Sequence, residues 1–248
     1  MKLHPTRTAL GAAVAASLLL AACGTSGGED AETTTTKAKT TTTTKATTTT
    51  ADTAAAQDRA DSVDLTVSDF PDGWTSSPPE ADTGDSPLDK CDESFANDSA
   101  VLASHKTDTF SVGSFDQLDG SQVSADTRVF ETEDDAKAVV APFNDTEVVA
   151  CIDEALKSTF TASGGITAEG QLSDDDPGDL GTDDAEGLST TYKLTADDGT
   201  TANATVAVLM MRTGDVATLV SIVSLGDNLS SSDVQPAIES LAKAQAAA

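Results

Sequence analysis

Apolar and polar positions alternate most clearly in the last third of the chain. Leu188, Thr190, Tyr192 and Leu194 fall on every second position, which in an extended strand puts all four on one face. Asp197-Asp198-Gly199 then predicts a tight hairpin turn, and Ala204 to Arg212 beyond it is rich in Val, Leu and Met. Thr213-Gly214-Asp215 turns the chain again into Val216 to Ser224. Three such runs joined by short turns predict an antiparallel meander. Upstream, Val123, Ala125, Thr127 and Val129 alternate within Gln122 to Glu131, and Phe110 to Phe115 and Ile166 to Leu172 read as shorter strands.

The period becomes helical elsewhere. Thr132 is placed to cap a helix over Glu133 to Ala141, with Asp134 and Asp135 near its positive end, and Pro142 stops it. Asp145 can cap the next helix, Thr146 to Ser158, whose apolar face carries Val148, Cys151, Ile152, Ala155 and Leu156. Ser232 is read as the cap of a last helix starting at Asp233, with Pro236 in the first turn, where proline is tolerated, and Val234, Ile238, Leu241 and Ala242 as its stripe. Cys91 to His105 is expected to include a short helix. Phe70 and Trp74 flank the turn Pro71-Asp72-Gly73 and are expected to bury. The sum predicts an α+β fold, a twisted, mostly antiparallel sheet with helices packed on one face.

The beginning of the chain has neither pattern. Lys2 and Arg7 precede an uncharged apolar run, Ala9 to Ala22, which is shorter than the roughly 20 residues needed to span a bilayer. It reads as a signal peptide over residues 1–22. The run ends in Leu20-Ala21-Ala22-Cys23, which resembles the lipobox of bacterial lipoproteins. That resemblance implies cleavage before Cys23 and a diacylglyceryl group on its sulfur. Two acyl chains suffice for stable anchoring at about 0.8 kcal/mol per buried methylene. Residues 23–60 follow, dominated by Thr and Ala with tracts such as Thr40 to Thr44. With almost nothing apolar beyond Ala, this stretch is expected to be a disordered linker, either a bare spacer or an O-glycosylated stalk. Residues 61–248 remain for one globular domain.

Composition narrows the function classes. The net charge is −28, and residues 61–248 hold 37 acidic against 8 basic side chains. Such a surface repels nucleic acid and anionic lipid headgroups. Besides Cys23 the cysteines are Cys91 and Cys151. Outside the cytoplasm an isolated pair reads as a disulfide; the alternative is two free thiols.

Motifs for catalysis are missing. HExxH, GxSxG, the P-loop and GxGxxG do not occur. His105 sits in the polar stretch Ser104-His105-Lys106, and Ser240-Leu241-Ala242-Lys243 has the SxxK spacing without the partners that would make it a nucleophile. Asp174, Asp175, Asp176, Asp179, Asp183, Asp184 and Glu186 crowd between two strands; they read as a solvated loop or a Ca²⁺ site that lacks EF-hand spacing. Tyr192, Met210 and Met211 are core or the lining of a lipid cavity. No enzyme, no cofactor, no catalytic residue and no metal site is expected.

Leu65, Asp69-Phe70-Pro71-Asp72-Gly73-Trp74 resembles the opening of many actinobacterial envelope lipoproteins. Thr132 with Asp135-Ala136, the helix bearing Cys151, Gly181-Thr182-Asp183-Asp184 and Met211-Arg212-Thr213-Gly214-Asp215 resemble further elements of theirs. The layout is also similar to the extracellular sensor domain of some mycobacterial serine/threonine kinases, which implies a twisted antiparallel sheet with helices and a ligand cleft. That relative uses two disulfides, and this chain has cysteines for one; no binding residue carries across. The expectation is a membrane-anchored, extracytoplasmic sensor-like domain for a small-molecule or cell-wall ligand, binding no nucleic acid. A carrier of lipid or glycolipid and a structural or partner-binding envelope protein are the alternatives.

Overall fold

The computed structural model describes residues 50–79, 90–92, 100–115, 118–162, 165–226 and 229–248. Helix α1 (Thr50–Ser62) leads to the short strand β1 (Thr75–Ser77), then β2 (Val101–Lys106), β3 (Thr109–Val112) and β4 (Ser121–Phe130). Helices α2 (Glu133–Val140) and α3 (Thr146–Ala162) come next. Strands β5 (Ile166–Glu169), β6 (Ser173–Asp175), β7 (Asp184–Ala196), β8 (Thr201–Thr213) and β9 (Val216–Leu225) precede helix α4 (Ser231–Ala247). Among the described residues the strands form one sheet in the order β1-β3-β4-β9-β8-β7-β5, with β2 also on β4 and β6 also on β7. Every pairing in it is antiparallel.

The expected meander is β7–β8–β9, and β7 and β8, with 13 residues each, are the longest strands among the described residues. At the β7–β8 turn Gly199 adopts φ +82°, a left-handed conformation that glycine takes without steric penalty. The Asp198 side chain accepts from the Thr200 N–H at 2.9 Å. On the other side of the sheet, β2 and β3 share one edge of β4. They are one strand bent at Thr107, which is fully buried and knits the bend: its N–H donates to Ala125 O at 3.0 Å and its hydroxyl accepts from Ala125 N at 3.0 Å. Of the stretch Cys91 to His105, in which a short helix is expected, residues 93–99 lie outside the described residues, and from Val101 onward the chain is β2. Cross-strand contact with β4 outweighs the polar look of Ser104-His105-Lys106 because this is an edge strand, with one side open to water.

The helices divide between the two faces, which corrects the expectation of a single covered face. On one face α2, α3 and the intervening Phe143 pack on Leu188, Tyr192, Leu194, Ala204, Val206 and Val208. On the other, α4 sets Val234, Ala237, Leu241 and Ala242 against Leu209, Met211, Val220 and Ile222, with Phe70, Trp74 and Phe110 stacked beside them. The physical reason is legible in β8, where Val206, Val208 and Met210 face one way and Leu209 and Met211 the other. Both sides are apolar, so both must be covered.

Helix α1 is the second correction. The ordered domain begins ahead of residue 61, because residues 50–60 of the expected linker are helical. Ala56 and Ala60 are buried, one turn apart, against Ala103, Val129 and Val216. Small side chains let the helix backbone approach the sheet closely, so packing here comes from fit rather than from bulk. Arg59 fixes the helix in place, donating Nη1 to Asp215 at 2.9 Å and Nε to the Ala248 carbonyl at 2.9 Å. Residues 1–22 and Cys23, together with residues 24–49, lie outside the described residues.

The predicted caps of α2 and α3 are present: Thr132 Oγ1 accepts from Asp135 N at 3.2 Å, and Asp145 Oδ1 from Glu147 N at 2.8 Å. Helix α4 starts two residues earlier than expected. Its cap is Ser230, and Asp233 closes a capping box by accepting from the Ser230 N–H at 3.0 Å and its hydroxyl at 2.8 Å.

The Arg59–Asp215 pair makes stability depend on pH. The hydrogen bond from Arg59 holds the Asp215 carboxyl below its ordinary value, against a smaller opposing effect of burial. A carboxylate lowered in the folded state stabilises above its unfolded pKa of about 3.9, and loses that contribution as pH falls through the folded value. The stability gap between wild type and Asp215→Asn is therefore expected to be about 1 kcal/mol near neutral pH and to close below about pH 4. Urea titrations of both proteins across that range check it; a gap unchanged in strong acid would contradict the assignment.

Candidate functional site

A cleft of about 360 Å³ opens on the α4 face of the sheet. Its floor is made by Ala207, Leu209 and Ile222 from the strands. Leu229, Val234 and Ile238 form the wall on the α4 side, and Asp175, Asp176 and Pro177 form the opposite rim. Ser189, Thr205, Ser230, Ser231 and Gln235 supply hydroxyl and amide groups around the mouth. An apolar floor with a few polar groups at the edge is the usual chemistry of a small-molecule site, and the volume is at the lower end for one.

The rim is held close by an absence of side chain. Gly187 of β7 pairs with Asp175 of β6, and a Cβ there would collide with the Asp175 carbonyl. Only glycine lets β6 lie this near β7, and that position carries the two aspartates to the edge of the cleft. The Asp176 carboxylate is steadied by the Gly178 N–H at 2.9 Å.

The acidic run that looked like a solvated loop or Ca²⁺ site has several separate roles. Asp179 accepts from Gly181 N at 3.0 Å. Asp183 and Asp184 pair with Arg212, a buried guanidinium on β8 that also reaches Glu133 and donates to Gly214 O at 2.8 Å. Asp183 in addition accepts from Gly214 N at 2.8 Å. The Arg212-to-Asp215 motif is thus a structural clasp: Arg212 locks the β8–β9 turn to the start of β7, and Asp215 holds α1. Among the described residues no group of three or more His, Cys, Asp or Glu side chains is placed to hold a metal ion.

Cys91 and Cys151 form a disulfide with Cα atoms 5.4 Å apart, tying α3 to the 90–92 segment. His105 lies on β2 between two carboxylates, with Nδ1 3.3 Å from Asp61 in the last turn of α1 and Nε2 3.2 Å from Asp64 just beyond the helix. Ser240 and Lys243 are on α4, away from the cleft lining. Tyr192, Met210 and Met211 are all buried core residues and do not line the cleft.

Sequence reading missed the buried polar centre beneath α3. Asp153, only 7% exposed, accepts from the Tyr192 hydroxyl at 2.6 Å, from Leu172 N at 2.9 Å and from Lys157 Nζ at 2.6 Å. Burial pushes its pKa up, but the hydrogen bonds from Lys157, Tyr192 and Leu172 together outweigh burial and leave it below the ordinary value. Burial and then the Asp153 carboxylate push the Tyr192 hydroxyl upward, so it stays protonated and remains a donor. All of the carboxylate's close partners are donors, and the group sits on the opposite face of the sheet from the cleft. It holds α3, β7 and the Leu172 segment together.

The α4 wall of the cleft was missed as well. Val234 and Ile238 read from sequence as core stripe, yet Ile238 is only half-buried and faces the cleft.

Fold and cleft together define an α+β domain with a concave site between a helix and an antiparallel sheet. No protein-family model matches the chain, and no curated protein matches it. Among solved structures it is similar to the extracellular domain of PknH from Mycobacterium tuberculosis, at 12% identity and a TM-score of 0.34, over 76% of this chain and 96% of that one.

Proposed function

We propose that the chain is a lipid-anchored, extracytoplasmic domain that binds a small ligand in the cleft under α4 and does no covalent chemistry on it. The observation that carries the reading is the cleft itself, with an apolar floor and a polar mouth. The Leu20-Ala21-Ala22-Cys23 box supports the anchor, and the paired Cys91 and Cys151 suit an oxidising compartment. Among the described residues no helix is long and apolar enough to cross a membrane; in this reading attachment rests on Cys23.

Two experiments test the halves separately. Cys23→Ala is expected to move the protein from the membrane to the soluble fraction, and the native protein is expected to carry acyl mass that the variant lacks; membrane fractionation and intact mass spectrometry decide it. For the cleft, Thr205→Trp places a large ring in the mouth from half-buried Thr205. Compounds from a panel of cell-wall fragments and metabolites that raise the melting temperature of the wild type are expected to lose their effect on this variant. Hits that stabilise both proteins equally would place binding elsewhere.

A further inference from the structure

Resting on that reading of the cleft, we infer that its ligand is a cation: a primary or quaternary ammonium carried on a compact hydrocarbon body. Three observations converge. The floor and the α4 wall are apolar, with Ala207, Leu209, Ile222, Val234 and Ile238 offering no hydrogen-bonding side chain. The charged groups among the described lining residues are Asp175 and Asp176, and none is basic. Both aspartates are exposed on the rim, so a cationic head beside them keeps part of its hydration while its hydrocarbon body enters the cleft. The desolvation penalty that defeats buried charges is avoided.

The N-terminus of α4 would ordinarily argue the other way. Helix N-termini attract anions, through unpaired N–H groups and the helix dipole. Here Asp233 already brings a carboxylate to that end, accepting from the Ser230 N–H and hydroxyl. The positive end of the helix is answered from within the chain, and the field at the mouth is left to Asp175 and Asp176. An anionic ligand would meet two carboxylates on one side and a neutralised helix end on the other.

The test uses three probes of the same length: hexylammonium, hexanol and hexanoate, titrated into the folded protein at low salt and followed by amide NMR shifts. Hexylammonium is expected to shift the amides of Ala207, Leu209 and Val234, and to bind about 3- to 10-fold more tightly than hexanol, as one or two partly screened ion pairs allow. Hexanoate is expected to bind more weakly than hexanol. Raising the salt should shrink the ammonium advantage. Asp175→Asn with Asp176→Asn should abolish it, bringing the affinities for hexylammonium and hexanol together. Glu147→Gln with Glu154→Gln, the same charge change on exposed positions of α3, should leave it intact. If the three probes bind alike, or if the α3 pair of substitutions lowers the preference as much as the rim pair, the cation inference is overturned and the apolar cleft stands. If none of the probes shifts the cleft amides, the cleft reading fails with it.

Discussion

Replacing Cys91 and Cys151 together with Ala is expected to lower the unfolding free energy by about 4 kcal/mol, the chain-entropy value for a loop of this length. The two residues are separated by 60 positions, and that loop contains β2, β3, β4 and α2. Cutting the link frees the unfolded chain to explore far more conformations, while the folded sheet keeps its hydrogen bonds. For a domain of this size a loss of that order lowers the melting temperature by roughly 8–16 °C. Calorimetry of the double variant, and of the wild type with and without reductant, measures it. A melting temperature that did not respond to reductant would show that the bridge contributes nothing to the stability of the fold.

The second large effect is expected at Asp153. Asp153→Ala removes the acceptor for the Tyr192 hydroxyl, the Leu172 N–H and the Lys157 ammonium at once. Losing one partner of a buried charged pair costs about 3–5 kcal/mol, because the groups left behind are desolvated and unmatched. Tyr192→Phe deletes one donor and is expected to cost about 1–2 kcal/mol. Because the two side chains share one hydrogen bond, the two changes are not additive: combining them should cost at least about 0.5 kcal/mol less than the sum of the single losses. Urea denaturation of the three variants and the wild type closes the cycle. Strict additivity, or a loss at Asp153 below about 1 kcal/mol, would remove this centre from the account of stability.

Much of the sheet was legible because its signal is local. In β7, Leu188, Tyr192 and Leu194 alternate and are buried as expected, and the glycine turns after β7 and β8 stand where the residues require them. The caps of α2 and α3 were readable for the same reason: Thr132 and Asp145 act on backbone groups two or three positions away. What escaped was long-range or carried by small residues. Asp153 and Tyr192 are 39 positions apart, so neither alone announces a buried pair. Ala56 and Ala60 look like part of a low-complexity spacer, since alanine has little surface to bury; their contribution appears only once Ala103 and Val129 are seen beneath them. The two covered faces were foreshadowed by the apolar runs in β8 and β9, but a single strand does not say which helix covers which side. The cleft was hidden for a related reason. Its α4 wall has the spacing of an ordinary core stripe, and it shows as a wall only once Ala207, Leu209 and Ile222 of the sheet are seen facing it across the cleft.

The grip of Arg59 on Asp215 and on the end of α4 decides where mechanical load enters the domain. Any pull on the chain ahead of residue 50 reaches α1 first. From there it passes to β2 and β4 through alanine contacts, and through the guanidinium to the β8–β9 turn. The mouth of the cleft lies near the opposite end of α4, roughly 16 Å along the helix from Gln245 to Val234. A drag on the leading segment would therefore be borne first by one corner of the sheet, at the end of α4 away from the cleft.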